Sequence, residues 1–193
     1  MVRLTGPNKI KTAVFISGNG SNLKNLIKFS KLKKSPIAIN LIVSNKNKAG
    51  GLKFGKIFKI KSKTFIFKKK HLTEKKILLL LKKKKINLVC LAGFMEILSD
   101  YFIKNFKGKI LNIHPSLLPK FKGLNTHKRV LKNNEKYSGC TVHFVNSKLD
   151  SGKIILQKKV KINKRDNHKS LAKRILVQEH KLYPKAILKI FNL

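Results

Sequence analysis

Short apolar runs that alternate with helix-patterned segments are what most restricts the fold of this chain. Thr12–Ser17 reads as a buried strand and Gly18-Asn19-Gly20-Ser21-Asn22 as the turn after it. Asn22–Phe29 follows with Leu23, Leu26 and Ile27 at helical spacing. Ile37–Ser44 is a second strand, and Gly50-Gly51 opens a basic helix to about Phe58. Thr64–Phe67 is expected as a third short strand. Thr73 and Glu74 are expected to begin a helix that carries Ile77, Leu78 and Leu81 and closes at Lys82–Lys85. Leu88–Ala92 is a fully apolar strand ahead of Gly93. Such alternation packs through right-handed crossovers, so the expected class is α/β, a Rossmann-like, mostly parallel twisted sheet flanked by helices.

The pattern changes after Lys109–Ile113, a further apolar strand. Pro115–Gly123 reads as a loop and His127–Leu131 as a short helix. Cys140–Val145 and Ile154–Ile162 flank the Asn146–Gly152 loop and are expected to be antiparallel neighbours. Ser170–His180 and Tyr183–Phe191 read as two helices, with Pro184 in a compatible first turn. The expectation is a single domain over residues 1–193, with a nucleotide- or phosphate-binding half at about 12–108 and a mixed half at about 109–193.

Composition narrows the classes further. Hydrophobic residues make up 42% of the 193, enough for one substantial core. No apolar run approaches the roughly 18–20 residues that span a bilayer. Met1–Lys11 lacks the apolar centre of a secretory signal. Cys90 and Cys140 sit in strand-like segments and are expected to be buried and reduced, which fits a cytoplasmic chain without membrane attachment. The charge is extreme: 46 Lys and Arg against 7 Asp and Glu, a formal +39. That balance suggests phosphate polymers as partners. The lysines are spread along the whole chain, however, and arginine, the preferred reader of phosphate and guanine, occurs only at 3, 129, 165 and 174. Richness in Ile, Asn and Phe is also what A/T-rich codons produce. Codon bias and polynucleotide binding both remain open on composition, with no specific nucleic-acid partner expected. Each of the few carboxylates stands out as a candidate for a specific task.

The chemistry-bearing residues fall in three places. Asn112 and His114 share one face of the Lys109–Ile113 strand as it reaches the prolines, because side chains alternate with period two. An amide donor beside an imidazole suits a developing oxyanion, although a strand-end turn with a structural His reads equally well. Gly18–Asn22 sits where a glycine loop binds phosphate, between a strand and a helix start. Leu23 replaces the third glycine of a dinucleotide fingerprint and no Gly-Lys-Ser/Thr follows, so a single phosphomonoester fits best; a tight turn is the alternative. Asp150, before Ser151-Gly152, is an ordinary turn former unless its loop meets the Asn112–His114 strand end. If it does, carboxylate, imidazole and amide surround one point, a set suited to acyl transfer to an amine without a covalent intermediate. Ser116 lies beside Pro115 and makes no nucleophile elbow. His71, His127, His143 and His168 show no metal spacing, so no metal is expected, and His143 reads as a core histidine. Gln178-Glu179-His180 reads as a solvated face or a helix end.

With these blocks assembled, the chain resembles the phosphoribosylglycinamide formyltransferases, a folate-dependent family of purine synthesis. Ile16–Leu23 is similar to that family's phosphate loop. Leu91-Ala92-Gly93-Phe94-Met95-Glu96-Ile97-Leu98-Ser99 is similar to its folate-side segment, and Leu111–Pro119 to its catalytic strand and loop. Leu149-Asp150-Ser151-Gly152 and Gln178-Glu179-His180-Lys181-Leu182-Tyr183-Pro184 complete the pattern. The resemblance implies Asn112, His114 and Asp150 as a catalytic trio. It implies Gly20, Ser21 and Asn22 on the phosphate of phosphoribosylglycinamide, and Glu179 at the ribose–glycinamide end. It also implies Met95, Glu96, Ile97, Leu98, Asn112, Asn146, Ser147, Lys148, Leu149 and Asp150 around the pterin of 10-formyltetrahydrofolate, the co-substrate. A monomer or weak homodimer is expected. The pattern has departures: Glu96 stands where Arg is expected, Asn125 where His is common, Lys122 where Pro is common and Leu176 where a Gln can contact substrate. No arginine falls in His71–Lys76, where a folate-contacting one is expected.

Three rivals share parts of this reading. A 10-formyltetrahydrofolate hydrolase uses the same trio on water, but that family usually adds an amino-terminal regulatory domain and lacks the phosphate loop. A methionyl-tRNA formyltransferase is expected to be longer, with a carboxyl-terminal RNA-binding domain beyond Leu193. A basic nucleic-acid-binding module is the non-enzymatic alternative.

Overall fold

The computed structural model describes residues 9–193. Residues 1–8, part of the Met1–Lys11 segment considered for a signal, lie outside the described residues. The chain forms two compact units, one ending at Leu111 and one running from Asn112 to Phe191.

The first unit is built from strand–helix repeats. Its elements are β1 (Ile10–Ile16), α1 (Ser21–Ser30), β2 (Ile37–Ser44), α2 (Lys53–Ile57), β3 (Ser62–Thr64), α3 (Lys70–Lys83), β4 (Leu88–Leu91) and α4 (Asp100–Asn105). β1 lies parallel between β2 and β4, and β3 extends β2 in the same sense. β1 is buried over its last five residues and β4 over its whole length, because helices cover a parallel sheet on both faces. Phe15, Leu23, Leu26, Ile27, Ile42 and Ile77 form the fully buried core of this unit.

β5 (Lys109–His114) carries the chain into the second unit, which adds α5 (Thr126–Lys132), β6 (Tyr137–Phe144), β7 (Ile154–Lys161) and α6 (His168–Ile190). β6 and β7 are antiparallel, with Tyr137 opposite Lys161 and a register shift between Val142 and His143. Against them α6 buries Leu171, Ile175, Tyr183, Ala186 and Ile187. The strand order β3-β2-β1-β4-β5-β6-β7 is the expected α/β sheet, mostly parallel with an antiparallel carboxyl-terminal part. Cys90 and Cys140 are buried and free, as expected.

Several elements depart from the sequence reading, each for a local reason. The third strand is Ser62–Thr64, not Thr64–Phe67: the chain leaves the sheet after Phe65 N–H donates to the Ser44 carbonyl, and Phe67 packs edge-on to Phe94. α3 starts at Lys70, because Thr73 is already inside its first turn with its hydroxyl on the Ile66 carbonyl. α4 was not anticipated. Ser99 caps it by accepting the Phe102 N–H at 3.2 Å, and the Ser-Asp pair at its start was the available signal. β6 begins at Tyr137 instead of Cys140, since Gly139 belongs to the ladder: a Cβ there would lie 2.1 Å from the Lys158 carbonyl oxygen.

The two carboxyl-terminal helices are one, and Pro184 is inside it rather than in a first turn. An interior proline removes a helical donor and costs about 3 kcal/mol. Leu182, Tyr183, Ala186 and Ile187 are buried on either side of it, and each large apolar side chain contributes roughly 1.5–3 kcal/mol, so burial carries the helix through. The amino end is fixed by a capping box: Asn167 Oδ1 accepts the Ser170 N–H and Ser170 Oγ accepts the Asn167 N–H.

The β6–β7 connection holds the closest backbone approach among the glycines of the second unit. A Cβ at Gly152 would sit 1.7 Å from the Phe144 carbonyl oxygen, which no side-chain motion relieves. Gly152→Ala is therefore expected to destabilise the protein by about 2–3 kcal/mol. Calorimetry should show a thermal midpoint roughly 4–12 °C lower. An unchanged midpoint would mean the turn is looser than described.

Candidate active site

In the second unit the strand end of β5 meets the β6–β7 loop. Asn112 and His114 leave β5 on one face, as the period-two pattern requires. Asp150 sits in the loop at φ +45°, a left-handed conformation, with its carboxylate on the Gly123 N–H. The His114 Nδ1 to Asp150 Oδ2 distance is 3.2 Å, with both side chains more than nine-tenths buried. Asn112 Nδ2 donates to Asp150 Oδ1 at 3.3 Å, and the Gly123 N–H donates to Oδ2 at 2.8 Å. The three residues separated in sequence thus converge on one carboxylate.

His143 joins them, which sequence reading missed by treating it as core. Its Nε2 lies 3.2 Å from Asn112 Nδ2 and 3.7 Å from Asp150 Oδ1, while Nδ1 contacts the Phe144 carbonyl at 2.7 Å. A carbonyl only accepts, so Nδ1 carries a proton, and Nε2 faces both the Asn112 amide and the Asp150 carboxylate. The histidine fixes which way the amide points. Its place two residues after Thr141 in an alternating strand was the only available hint.

The electrostatics favour a charged Asp150 and a neutral His114. Burial is the largest influence on the Asp150 carboxyl and pushes it up. His143, the Gly123 N–H and His114 outweigh it and hold the pKa below the usual 3.8. Burial is also the largest influence on His114 and pulls it below the usual 6.5, against the Phe121 carbonyl and Asp150, which raise it. His114 Nε2 lies 2.9 Å from the Phe121 carbonyl, so each ring nitrogen faces an oxygen acceptor. One of the two acceptors goes without a proton while the ring is neutral. New negative charge beside such a ring draws a proton onto it.

The expected folate-side loop Asn146–Leu149 is exposed and shaped by its own Asx turn, Asn146 Oδ1 accepting the Lys148 N–H at 3.1 Å. Glu179 lies in the middle of α6 and is buried, not at a solvated helix end. Burial pushes the Cys140 thiol up to about 12 and the charge of Glu179 adds to it, so this thiol stays protonated.

In the first unit the predicted loop runs only to Gly20, because α1 already takes in Ser21 and Asn22. Gly20 has φ +73°, and a Cβ on it would fall 2.7 Å from the Gly51 Cα, so glycine is required twice over. No side chain caps the helix start, and no acid occupies its first turn, which leaves an N-terminus suited to an anion. A cavity of about 370 Å³ opens here, lined by Ser17, Gly20, Ser21, Asn22, Lys46 and Met95 among others. Lys46 was not anticipated. Its backbone is pinned by Ser44 Oγ at the end of β2, and its position three residues before Ala49 gave no motif to read. Met95 and Ile97 are exposed, at 59% and 55%, while Leu98 is buried. Among the described residues no cluster of His, Cys, Asp and Glu is arranged to hold a metal, and no helix is long and apolar enough to cross a membrane.

The lowered histidines predict an acid response. His114, His127 and His180 all have pKa values below 6.5, chiefly through burial. The unfolded chain takes up protons at these sites first, so stability is fully present above pH 6.5 and falls as pH drops below it. Asp150 and Asp166, held below 3.8, add a further loss as pH falls below that value. Thermal midpoints measured at pH 7.5 and 5.5 should differ, with the lower value at pH 5.5; equal midpoints would contradict the buried neutral rings.

Similarity to known proteins runs over nearly the whole chain. A model of the formyl transferase family matches residues 10–187. Phosphoribosylglycinamide formyltransferase of Escherichia coli is 40% identical over 177 residues, covering 90% of this chain and 84% of that protein. The human trifunctional purine biosynthetic protein adenosine-3 is 41% identical over 182 residues, but the chain spans only about 18% of its length. The crystal structure of phosphoribosylglycinamide formyltransferase from Brucella melitensis superposes with a TM-score of 0.89 at 42% identity, covering 95% of both chains. The chain therefore belongs to the formyl transferase family.

Proposed function

We propose that this chain transfers the formyl group of 10-formyltetrahydrofolate to the amine of 5-phosphoribosylglycinamide, a step of purine synthesis carried out in the cytoplasm. What supports this most is likeness to single-activity phosphoribosylglycinamide formyltransferases over 84% and 95% of their lengths. It is joined by a buried amide–imidazole–carboxylate set of the kind that acyl transfer to an amine needs.

In this reading the substrate phosphate rests on the backbone of Gly20, Ser21 and Asn22, with Lys46 supplying the countercharge. Glu179 engages the ribose–glycinamide end. The backbone around residues 95–98 and 146–150 lines the pterin. The glycinamide nitrogen attacks the formyl carbon and forms the new C–N bond, moving an electron pair onto the formyl oxygen. To donate to that oxyanion, Asn112 Nδ2 exchanges its contact with Asp150 and the His114 ring exchanges its contact with the Phe121 carbonyl. Developing charge raises the affinity of His114 for a proton, and Asp150 stabilises the imidazolium that results. The amine proton passes through this pair to the folate nitrogen as the old C–N bond breaks. No protein group forms a covalent bond to the formyl carbon.

The same trio acting on water would make a formylfolate hydrolase, so the acceptor decides the matter. Release of the deformylated product from 10-formyl-5,8-dideazafolate, followed optically, is expected to require the ribonucleotide. Equal release without it would overturn the transferase reading. In the same assay Asn112→Ala should lower kcat on the order of 100- to 1,000-fold, as loss of one oxyanion donor does elsewhere.

A further inference from the structure

The segment Gly93–Ser99 has no secondary structure of its own, yet four separate elements hold it. At its start, the Ser17 N–H donates to the Gly93 carbonyl at 3.1 Å, and the buried Ser17 Oγ accepts the Met95 N–H at 2.7 Å. Phe94 is wedged edge-on between Phe15 and Phe67, with ring centres 5.3 and 5.8 Å away. At its end, the fully buried Glu74 of α3 accepts both the N–H of Ser99, at 2.8 Å, and its hydroxyl. In the middle, Glu96 Oε1 accepts the side-chain amide of Asn45 at 2.8 Å. Asn45 lies directly after β2 and is buried, and its own Oδ1 has no hydrogen-bond partner among the described residues. The contact with Glu96 is what anchors this buried amide. Met95 and Ile97, on either side of Glu96, point outward instead.

Two of the chain's seven carboxylates are therefore committed to one seven-residue segment. Lysine is the default polar residue of this sequence, and neither it nor arginine can accept an amide hydrogen bond. A carboxylate at 96 does something that the prevailing side chains cannot.

We propose that Glu96 is a positioning residue: by accepting the Asn45 amide it fixes residues 95–98 against the end of β2, so that their backbone groups are already arranged when the formylfolate binds. This rests on the assignment of 95–98 to the folate side under the proposed function. Glu96 then acts through Asn45 and not by touching the pterin. Ordering a loop before binding removes that cost from the binding step, so its loss shows in KM for the folate and not in the chemical step.

The test is a double-mutant cycle on the full chain, with Asn45→Ala, Glu96→Ala, the double variant and Glu96→Gln. Each single alanine variant should raise KM for the formylfolate by roughly 5- to 20-fold, with kcat and KM for the ribonucleotide within about twofold of the parent. The double variant should be no worse than the poorer single one. Glu96→Gln keeps an acceptor oxygen and should restore most of the folate KM. Hydrogen exchange of the 93–99 amides, measured without any ligand, should quicken in both alanine variants and not in the glutamine one. Normal folate KM in Asn45→Ala beside a raised one in Glu96→Ala would overturn the proposal, because Glu96 would then contact folate directly. A glutamine variant as poor as the alanine one would overturn it too, as would unchanged exchange. Exchange reads the tether even if the parent protein fails to formylate the ribonucleotide, so failure of the proposed activity and failure of the tether are told apart.

Discussion

The candidate site is organised around one buried negative charge. Asp150 loses hydration on entering the fold, and an isolated carboxylate would respond by taking up a proton. The Gly123 N–H, the Asn112 amide and two imidazoles oppose this together, and the carboxyl ends below its usual pKa. Those same donors are thereby oriented. Asn112 aims its amide because the carboxylate and His143 hold it, and His114 is clamped between Asp150 and the Phe121 carbonyl. The geometry of the candidate site and the electrostatic repair of a buried charge are one arrangement here.

Backbone constraints bring that charge in. The left-handed turn at Asp150 and the closeness of Gly152 to the Phe144 carbonyl shape the loop, and the β6–β7 ladder sets where it starts and ends. In the first unit Gly20 and Gly51 play the matching part, letting a loop and a turn come close enough to expose a helix start to an anion. Each unit thus supplies one requirement of the proposed reaction: an anchor for phosphate in the first, polar groups for an oxyanion in the second.

Much of this was legible from residues. The parallel strands announced themselves by short continuous apolar runs, and β2 has the bounds its sequence suggests, Ile37–Ser44. Asn112 and His114 could be paired because they share one strand face, whereas Asp150 read as a turn former and joined them only through the family resemblance. What stayed hidden depends on partners distant in sequence. His143 has the alternation of a core residue and becomes part of the site only because Asp150 lies opposite. Pro184 marks a helix start by local rules, yet burial on both sides overrides it. Ser99 caps a helix too short to show periodicity.

The scarcity of acid proved informative in a way that excess lysine did not. Glu74 holds Ser99, Glu96 holds Asn45, Glu135 pairs with Lys120, Asp166 pairs with Arg174 and caps a turn, and Asp150 centres the trio. These carboxylates have specific bonded partners, whereas most lysines lie on exposed positions that accept any charge. Selection against acids would leave those that a fold or a reaction needs. Asp150→Asn puts that to its most direct test, since it removes the charge and keeps the shape. With circular dichroism and the Gly123 contact preserved, turnover should fall by on the order of 100- to 10,000-fold, the range of a lost proton-transfer partner. A folded variant that turns over at near the parent rate would contradict a carboxylate at the centre of the chemistry.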